Sequence, residues 1–146
     1  MRRGERVDPV GEQRWRTRID ARAADVPGLR HAVVELLERE CPGIDRAAAA
    51  LVVTELASNV VCHAYPGAGG PLEVEIHIDT GTPILTVRDW GGGFGQSERR
   101  GTGLGLSLVR GISADVWMEH RGCTEVHARL ACQPTGRPGL QLRNER

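Results

Sequence analysis

Two alternating segments that follow each other almost directly constrain the fold of this 146-residue chain most strongly. Residues 72–79 alternate Leu, Val, Ile and Ile with Glu, Glu, His and Asp, which is typical of a half-buried strand. Gly81-Thr82-Pro83 then turns the chain into a second predicted strand over residues 84–88. Parallel neighbours need a crossover of about a dozen residues or more, so these two strands are predicted to form an antiparallel hairpin.

Further helices and strands are predicted on both sides of this hairpin. Residues 14–21 alternate Arg and Asp with Trp, Thr, Ile and Ala, which predicts a strand with its arginines facing water. Asp25 and Asp45 are possible caps at the starts of two helices. The other predicted elements are helices over about 25–39, 45–63 and 104–112 and strands over 116–119 and 126–130.

The order β-α-α-β-β-loop-α-β-β predicts an α+β fold. We expect a two-layer α/β sandwich in which a mixed, mostly antiparallel sheet is covered on one face by about three helices. Residues 14–132 form this single domain, which is long enough to bury a core. Residues 1–13 are predicted to be a flexible arm, and residues 133–146, rich in Pro, Gly and polar residues, a disordered tail.

Composition excludes several classes of function. Nineteen Lys+Arg balance nineteen Asp+Glu, so net charge gives no reason to expect nucleic acid or an anionic membrane as a partner. All nineteen basic residues are Arg. A Walker A phosphate loop and the Lys-dependent protein-kinase fold both require lysine and are therefore excluded.

The four cysteines and the hydropathy of the chain predict where it resides. No C-x-x-C pair occurs, and the spacing of Cys62-His63 and of His120 with Cys123 fits no zinc pattern. Unpaired thiols are typical of a reduced, cytoplasmic protein. No apolar run of about 18 residues is evident in the sequence, so no membrane span is predicted.

Glu55, Asn59 and His63 lie four residues apart on the second predicted helix. Four residues turn about 400° around a helix, so the three side chains share one face. One interpretation is a polar stripe that faces solvent or bonds a neighbouring loop. The other is a cation site, because hard ions such as Mg²⁺ prefer oxygen ligands.

A segment rich in glycine follows the second strand of the hairpin, with seven of the nineteen glycines in residues 91–105. Asp89 ends the strand, where its carboxylate can accept a hydrogen bond from a ligand amine. Gly91 and Gly93 follow it and would let a planar ligand lie against the backbone. The alternative is a glycine-rich turn without a ligand.

Gly101-Thr102-Gly103-Leu104-Gly105 opens the third predicted helix. Backbone N–H groups and the helix dipole at such a start favour a bound phosphate. Arg99 and Arg100 precede this segment. They are either solvated lid residues or ligands of a terminal phosphate, for which the guanidinium fork is well shaped.

Taken together and in this order, the three motifs resemble those of the Bergerat-fold (GHKL) ATPase and kinase superfamily, which includes DNA gyrase and the histidine kinases. The stretch Glu55-Leu-Ala-Ser-Asn-Val-Val-Cys-His-Ala-Tyr-Pro is similar to the bacterial anti-sigma factor serine/threonine kinases within it. The run Gly-Thr-Gly-Leu-Gly-Leu departs from the sporulation kinases and is more like histidine kinases and the stressosome-linked switch kinases. A histidine kinase would also need a phosphoacceptor domain, for which we expect no room.

The resemblance implies a role for each matching residue. Glu55 would be the general base, Asn59 would ligate Mg²⁺, and Asp89 would accept from the adenine amine. Arg99 would reach the terminal phosphate, and His63 is interpreted as a structural hydrogen-bonding residue. The implied ATP-binding set is Asn59, Asp89, Gly91, Gly93, Arg99, Gly101, Thr102, Gly103, Leu104 and Gly105.

The resemblance also implies a function. The chain would be an ATP- and Mg²⁺-dependent protein serine/threonine kinase that binds a sigma factor and phosphorylates an anti-sigma factor antagonist. A homodimer is one option for its assembly. An alternative is a nucleotide-dependent binding module that sequesters a regulator without transferring phosphate. A histidine-kinase-like remnant is a third hypothesis.

Overall fold

The computed structural model describes residues 7–11, 13–66, 69–91 and 103–133, and of residues 103–106 only the backbone. Six strands and three helices make up this part of the chain. The strands are β1 (Asp8–Gly11), β2 (Arg14–Asp20), β3 (Pro71–Asp79), β4 (Thr82–Asp89), β5 (Asp115–His120) and β6 (Thr124–Arg129). The helices are α1 (Val26–Glu40), α2 (Arg46–Asn59) and α3 (Gly103–Ile112), with a 3₁₀ turn at Ala23–Asp25 and a π-helical turn at Val60–Ala64.

The strands form one sheet in the order β1-β2-β3-β4-β6-β5, and every pair of neighbours is antiparallel. This confirms the predicted α+β sandwich, with a sheet that is antiparallel throughout its described strands. Asp79 pairs with Thr82, so the turn of the β3–β4 hairpin is Thr80-Gly81, one residue earlier than predicted. Both turn residues have positive φ, 48° and 80°, as a two-residue hairpin turn requires.

Strand β1 lies within the segment predicted to be a flexible arm, so that prediction is wrong for Asp8–Gly11. All four of its residues are exposed. It pairs through its backbone with β2 at the edge of the sheet. An edge strand of this kind needs no alternation of apolar side chains, so its sequence carries no strand pattern.

Both predicted aspartate caps precede helices, but only one of them caps through its side chain. Asp45 has extended backbone, and its Oδ1 accepts a hydrogen bond from the Ala48 N–H at 3.1 Å. Asp25 has helical backbone, φ −93° and ψ −11°, and its side chain makes no capping bond. The 3₁₀ turn Ala23–Asp25 leads directly into α1, so Asp25 lacks the extended conformation that a capping side chain needs.

The core lies between the helices and one face of the sheet. Leu29, Val33 and Leu37 form the buried stripe of α1, as predicted. The buried residues of α2 are Ala49, Val52, Val53, Leu56 and Ala57, and those of the central strands on this face are Leu72, Val74, Ile76, Ile78, Leu85 and Val87.

Helix α2 and the π turn form a long apolar segment. By length and composition alone, Arg46–Ala64 could cross a membrane, so the prediction that no run of that length exists is wrong. In the described structure the buried residues of this segment, Val52 and Leu56 among them, belong to the core of the domain.

The other face of the sheet carries a network of ion pairs. Glu75 is only 3 % exposed and contacts Arg14 at 3.0 Å, Arg16 at 2.8 Å and Arg88 at 3.4 Å. Burial alone would raise the pKa of Glu75, but hydrogen bonds from Arg16 and Arg88 outweigh burial and hold it below its ordinary value. The arginines of β2 therefore cover buried carboxylates rather than simply facing water as predicted.

Candidate functional site

Asp89 ends β4 on the face of the sheet that the helices cover. Its side chain is 2 % exposed, and Oδ1 accepts a hydrogen bond from the Gly91 N–H at 3.0 Å. In the sheet register Asp89 pairs with Leu72 on β3 and with Thr124 on β6. The structure therefore places a buried carboxylate at the strand end that the sequence predicted.

Gly91 lies against the end of the π turn. A Cβ atom added there would be 1.9 Å from the carbonyl oxygen of Ala64, far inside van der Waals contact. Only glycine fits this close approach, which brings the chain after β4 beside the end of the helical segment that carries Asn59.

Tyr65 joins three segments at this point. Its hydroxyl donates to the Pro71 carbonyl at 2.6 Å and accepts from the Trp90 N–H at 2.9 Å. Gly70 leaves room for the ring, since a Cβ there would lie 2.3 Å from it. Burial raises the pKa of Tyr65, so the hydroxyl keeps the proton that it donates. Sequence analysis gave Tyr65 no role, although it is the single tyrosine of the chain.

Asn59 is the last residue of α2 before the helix widens into the π turn. Its Nδ2 atom is buried and has no hydrogen-bond partner among the residues that the structure describes. A half-turn of the amide exchanges its nitrogen and oxygen, so the same position can present either a donor or an acceptor. A buried amide without a partner is costly and is typical of a site that a ligand completes.

Glu55 lies one helical turn before Asn59 and is half-buried. It forms no hydrogen bond or ion pair within the described part of the chain. π-helical turns inside α-helices are rare and frequent at functional sites. The arrangement leaves a carboxylate and an amide available on one face next to such a turn.

A cavity of about 230 Å³ lies where β4 ends and the β5–β6 hairpin turns. Thr124, buried and paired with Asp89 in the sheet, lies 3.3 Å through Oγ1 from His120 Nδ1. Sequence analysis missed Thr124, because its pairing with Asp89 joins positions far apart in the chain. The cavity is lined by Trp90, Gly91, His120, Gly122, Cys123 and Thr124.

For the remaining predicted residues, the structure tests only part of the expected role. The predicted helix start is confirmed, since α3 begins at Gly103 and contains Leu104 and Gly105 in its first turn. His63 lies half-buried in the π turn and makes no hydrogen bond with the described residues, so its structural role stays a prediction. Gly93, Arg99, Arg100, Gly101 and Thr102 lie outside the described residues.

The described residues fit the nucleotide and the cation that the motifs imply. The buried carboxylate of Asp89 suits an adenine amine, and the backbone at Gly91 is free of a side chain. The amide of Asn59, whose Nδ2 has no partner in the described part of the chain, provides a polar group for a ligand or its metal ion. No cation pairs with the Glu55 carboxylate within the described structure, so no ion pair there competes with its expected role as a base.

A family model described as a histidine kinase-like ATPase domain matches residues 19–130. The matched range includes Glu55, Asn59, Asp89 and all the predicted glycine positions. No curated protein matches the chain.

Proposed function

Because the chain belongs to the family of histidine kinase-like ATPase domains, we propose that its ATP-binding, GHKL-type domain is a protein serine/threonine kinase. In this proposal it acts as an anti-sigma factor in the cytoplasm. It binds a sigma factor and phosphorylates an anti-sigma factor antagonist on Ser or Thr, with Mg²⁺ as the metal. The support for the partners is the motif resemblance, and the support for the chemistry is the arrangement of Glu55, Asn59 and Asp89.

Adenine recognition follows from the end of β4. Asp89 is held in place by the Gly91 N–H, so its orientation is fixed before a ligand arrives. A carboxylate accepts several hydrogen bonds at once, so the bond from the Gly91 N–H does not prevent Asp89 from accepting the adenine amine as well. Tyr65 holds the Trp90 N–H and thereby fixes the backbone between Asp89 and Gly91.

The phosphates of ATP are assigned to Asn59 and the start of α3. Asn59 would hold Mg²⁺ through its amide oxygen, and the start of α3 with Arg99 would bind the phosphate oxygens. Bound Mg²⁺ would neutralise charge on the phosphates of ATP during transfer. The role of the protein is then mainly to position the substrate and exclude water around it.

Glu55 carries the proposal that the domain is a kinase rather than only a binding module. Glu55 is half-buried and has no partner among the residues that the structure describes, so its carboxylate, one turn from the proposed metal-binding amide, is available to take a proton. In the proposed step Glu55 accepts the proton of the attacking serine or threonine hydroxyl as its oxygen bonds to the γ-phosphorus of ATP. The bond from that phosphorus to the β,γ-bridging oxygen breaks, and ADP leaves with the bonding electrons. A module that only sequesters a regulator needs no base at this position.

The direct test is a transfer assay with the wild-type chain, labelled ATP and candidate antagonists encoded beside it. We expect phosphate on one Ser or Thr of a cognate antagonist, identified by mass spectrometry. A wild-type chain that binds ATP and the antagonist together but leaves every Ser and Thr unmodified would contradict the kinase proposal. That result would favour the binding module.

The second expectation concerns Asn59. Asn59→Ala should leave the fold intact, because the amide nitrogen has no described partner to lose. Mg²⁺-dependent nucleotide binding should weaken by roughly tenfold, since loss of an oxygen ligand removes about 1–2 kcal/mol. Calorimetry with and without Mg²⁺ measures the change, and circular dichroism reports the fold.

Asn59→Asp is the matched control, because it keeps an oxygen ligand at the same position. It should retain the Mg²⁺ dependence that Asn59→Ala loses. If Asn59→Ala unfolds while its remaining folded fraction binds Mg-ATP normally, Asn59 is a structural residue and the metal assignment is wrong.

A further inference from the structure

Three side chains with metal-binding atoms meet on the face of the sheet that the helices leave uncovered. Glu119 is on β5, and Glu125 and His127 are on β6. One ligand atom from each lies within 4.8 Å of the other two. None of these residues belongs to the proposed nucleotide site, which lies on the helix-covered face.

His127 provides an independent reason to expect an ion here. It is 9 % exposed, and its Nε2 atom is buried with no hydrogen-bond partner in the described structure. Nε2 lies 3.3 Å from Glu119 Oε2, but the two atoms are not aligned as a hydrogen bond. A buried ring nitrogen therefore lies close to a carboxylate oxygen without a hydrogen bond to it.

The opposite ring nitrogen explains how His127 is held. Nδ1 lies 2.8 Å from the hydroxyl oxygen of Thr86 on the neighbouring strand β4. When Nδ1 carries the proton and donates to Thr86, Nε2 keeps a lone pair 3.3 Å from Glu119 Oε2. Two acceptor atoms this close are unfavourable unless a cation binds both, and an Nδ1–H bond of this kind is the usual support of a metal-binding histidine.

The distance between Nε2 and the Glu119 carboxylate suits two ligands of one small divalent ion. Ligands at about 2.0–2.1 Å around a tetrahedral ion lie about 3.3–3.4 Å from one another. The 3.3 Å between Nε2 and Glu119 Oε2 has this length. Arg88 contacts Oε2 of Glu125, so an ion would take the other oxygen of that carboxylate.

We propose that Glu119, Glu125 and His127 bind a divalent transition-metal ion of the Zn²⁺ class, with water at the open position. A nitrogen donor beside two carboxylates favours such an ion over Mg²⁺, which prefers oxygen ligands alone. The ion would link β5 to β6 across the outer strand pair of the sheet. The proposal does not depend on the kinase assignment.

Nearby cations limit how tightly the ion binds. Arg88 pairs with Glu125, and Arg121 lies 3.7 Å from Glu119. The site therefore combines two carboxylates with two guanidinium groups, and we expect weaker binding than at a structural zinc site with thiolate ligands. Glu119 is partly exposed, which gives the ion a path from solvent.

The test uses the full chain, with ZnCl₂ in calorimetry and CoCl₂ in visible spectroscopy. The wild type should bind one Zn²⁺ equivalent that His127→Gln and Glu119→Gln each weaken tenfold or more. The Co²⁺ complex should show ligand-field bands without a thiolate charge-transfer band, which separates this site from the cysteines. Zn²⁺ should raise the melting temperature of the wild type and leave that of His127→Gln unchanged.

His31→Gln is the matched control, because His31 and Glu35 form a similar but exposed pair on α1, 3.7 Å apart. It should bind Zn²⁺ as the wild type does. If His127→Gln does not fold, Glu119→Gln decides, since its side chain is partly exposed. Equal Zn²⁺ affinity in Glu119→Gln and the wild type, or a thiolate band in the Co²⁺ spectrum, would overturn the proposal.

Discussion

Glu55→Gln should reduce phosphorylation of the antagonist by about two orders of magnitude or more while ATP affinity stays unchanged. Glutamine keeps the shape of the side chain and removes the base, and general base catalysis contributes typically 10²–10⁴-fold in rate. Glu55 has no partner in the described structure, so its replacement breaks no ion pair that supports the fold. The measurement is the rate of phosphoserine or phosphothreonine formation at saturating ATP, by mass spectrometry.

Glu35→Gln is the control for this variant, because Glu35 is an exposed glutamate on α1 whose described partner is His31. It should transfer phosphate at the rate of the wild type. If Glu55→Gln also transfers phosphate at that rate, Glu55 is not the base. If Glu55→Gln loses ATP affinity in parallel with activity, its role is in binding rather than in proton transfer.

Asp89→Ala should weaken ADP binding by about ten- to a hundredfold. A hydrogen bond to a charged group contributes about 1.5–3 kcal/mol, which corresponds to this range of affinity. The wild type should bind ATP and ADP but not GTP, since guanine presents a carbonyl where adenine presents an amine. Calorimetric titration of the wild type with each nucleotide measures both effects.

Asp89 is buried and bonds the Gly91 N–H, so the alanine variant also loses a structural contact. Asp89→Asn keeps an acceptor for that N–H and should lose affinity without loss of the fold. Asp79→Asn is the matched control, an exposed aspartate at the end of the neighbouring strand β3. Equal affinity of the wild type for ATP and GTP would remove Asp89 from adenine recognition.

Local periodicity was sufficient to predict most of the fold. The alternation around Val74 and the apolar stripe through Leu29 and Val33 report which side of each element is buried, and burial is what organises the core. Strand β1 was not predicted, because backbone pairing with β2 holds it and its side chains show no pattern. The ion pairs of Glu75 were not predicted either, because a partner such as Arg14 is 61 residues away in the chain.

The sequence predicts those residues of the candidate site that belong to short, continuous motifs. Asp89 at a strand end and Asn59 at a helix end were identified from spacing. The structure places Gly91, just after β4, against Ala64 at the end of the π turn that follows Asn59. Tyr65 and Thr124 were missed. Their importance depends on which backbone groups lie opposite them in space, and no pattern in the sequence reports that.

The order of the strands also governs how the chain reaches its native state. The β3–β4 hairpin closes through two residues, so it can form early and locally. Pairing of β2 with β3 instead closes a loop that contains both α1 and α2. Pairing of β4 with β6 likewise encloses α3 and β5. Such non-local pairings lose conformational entropy when their long loops close, before they gain contacts. They are therefore slow steps in folding. The two pairings that flank the β3–β4 hairpin are therefore expected to be late steps as the sheet assembles.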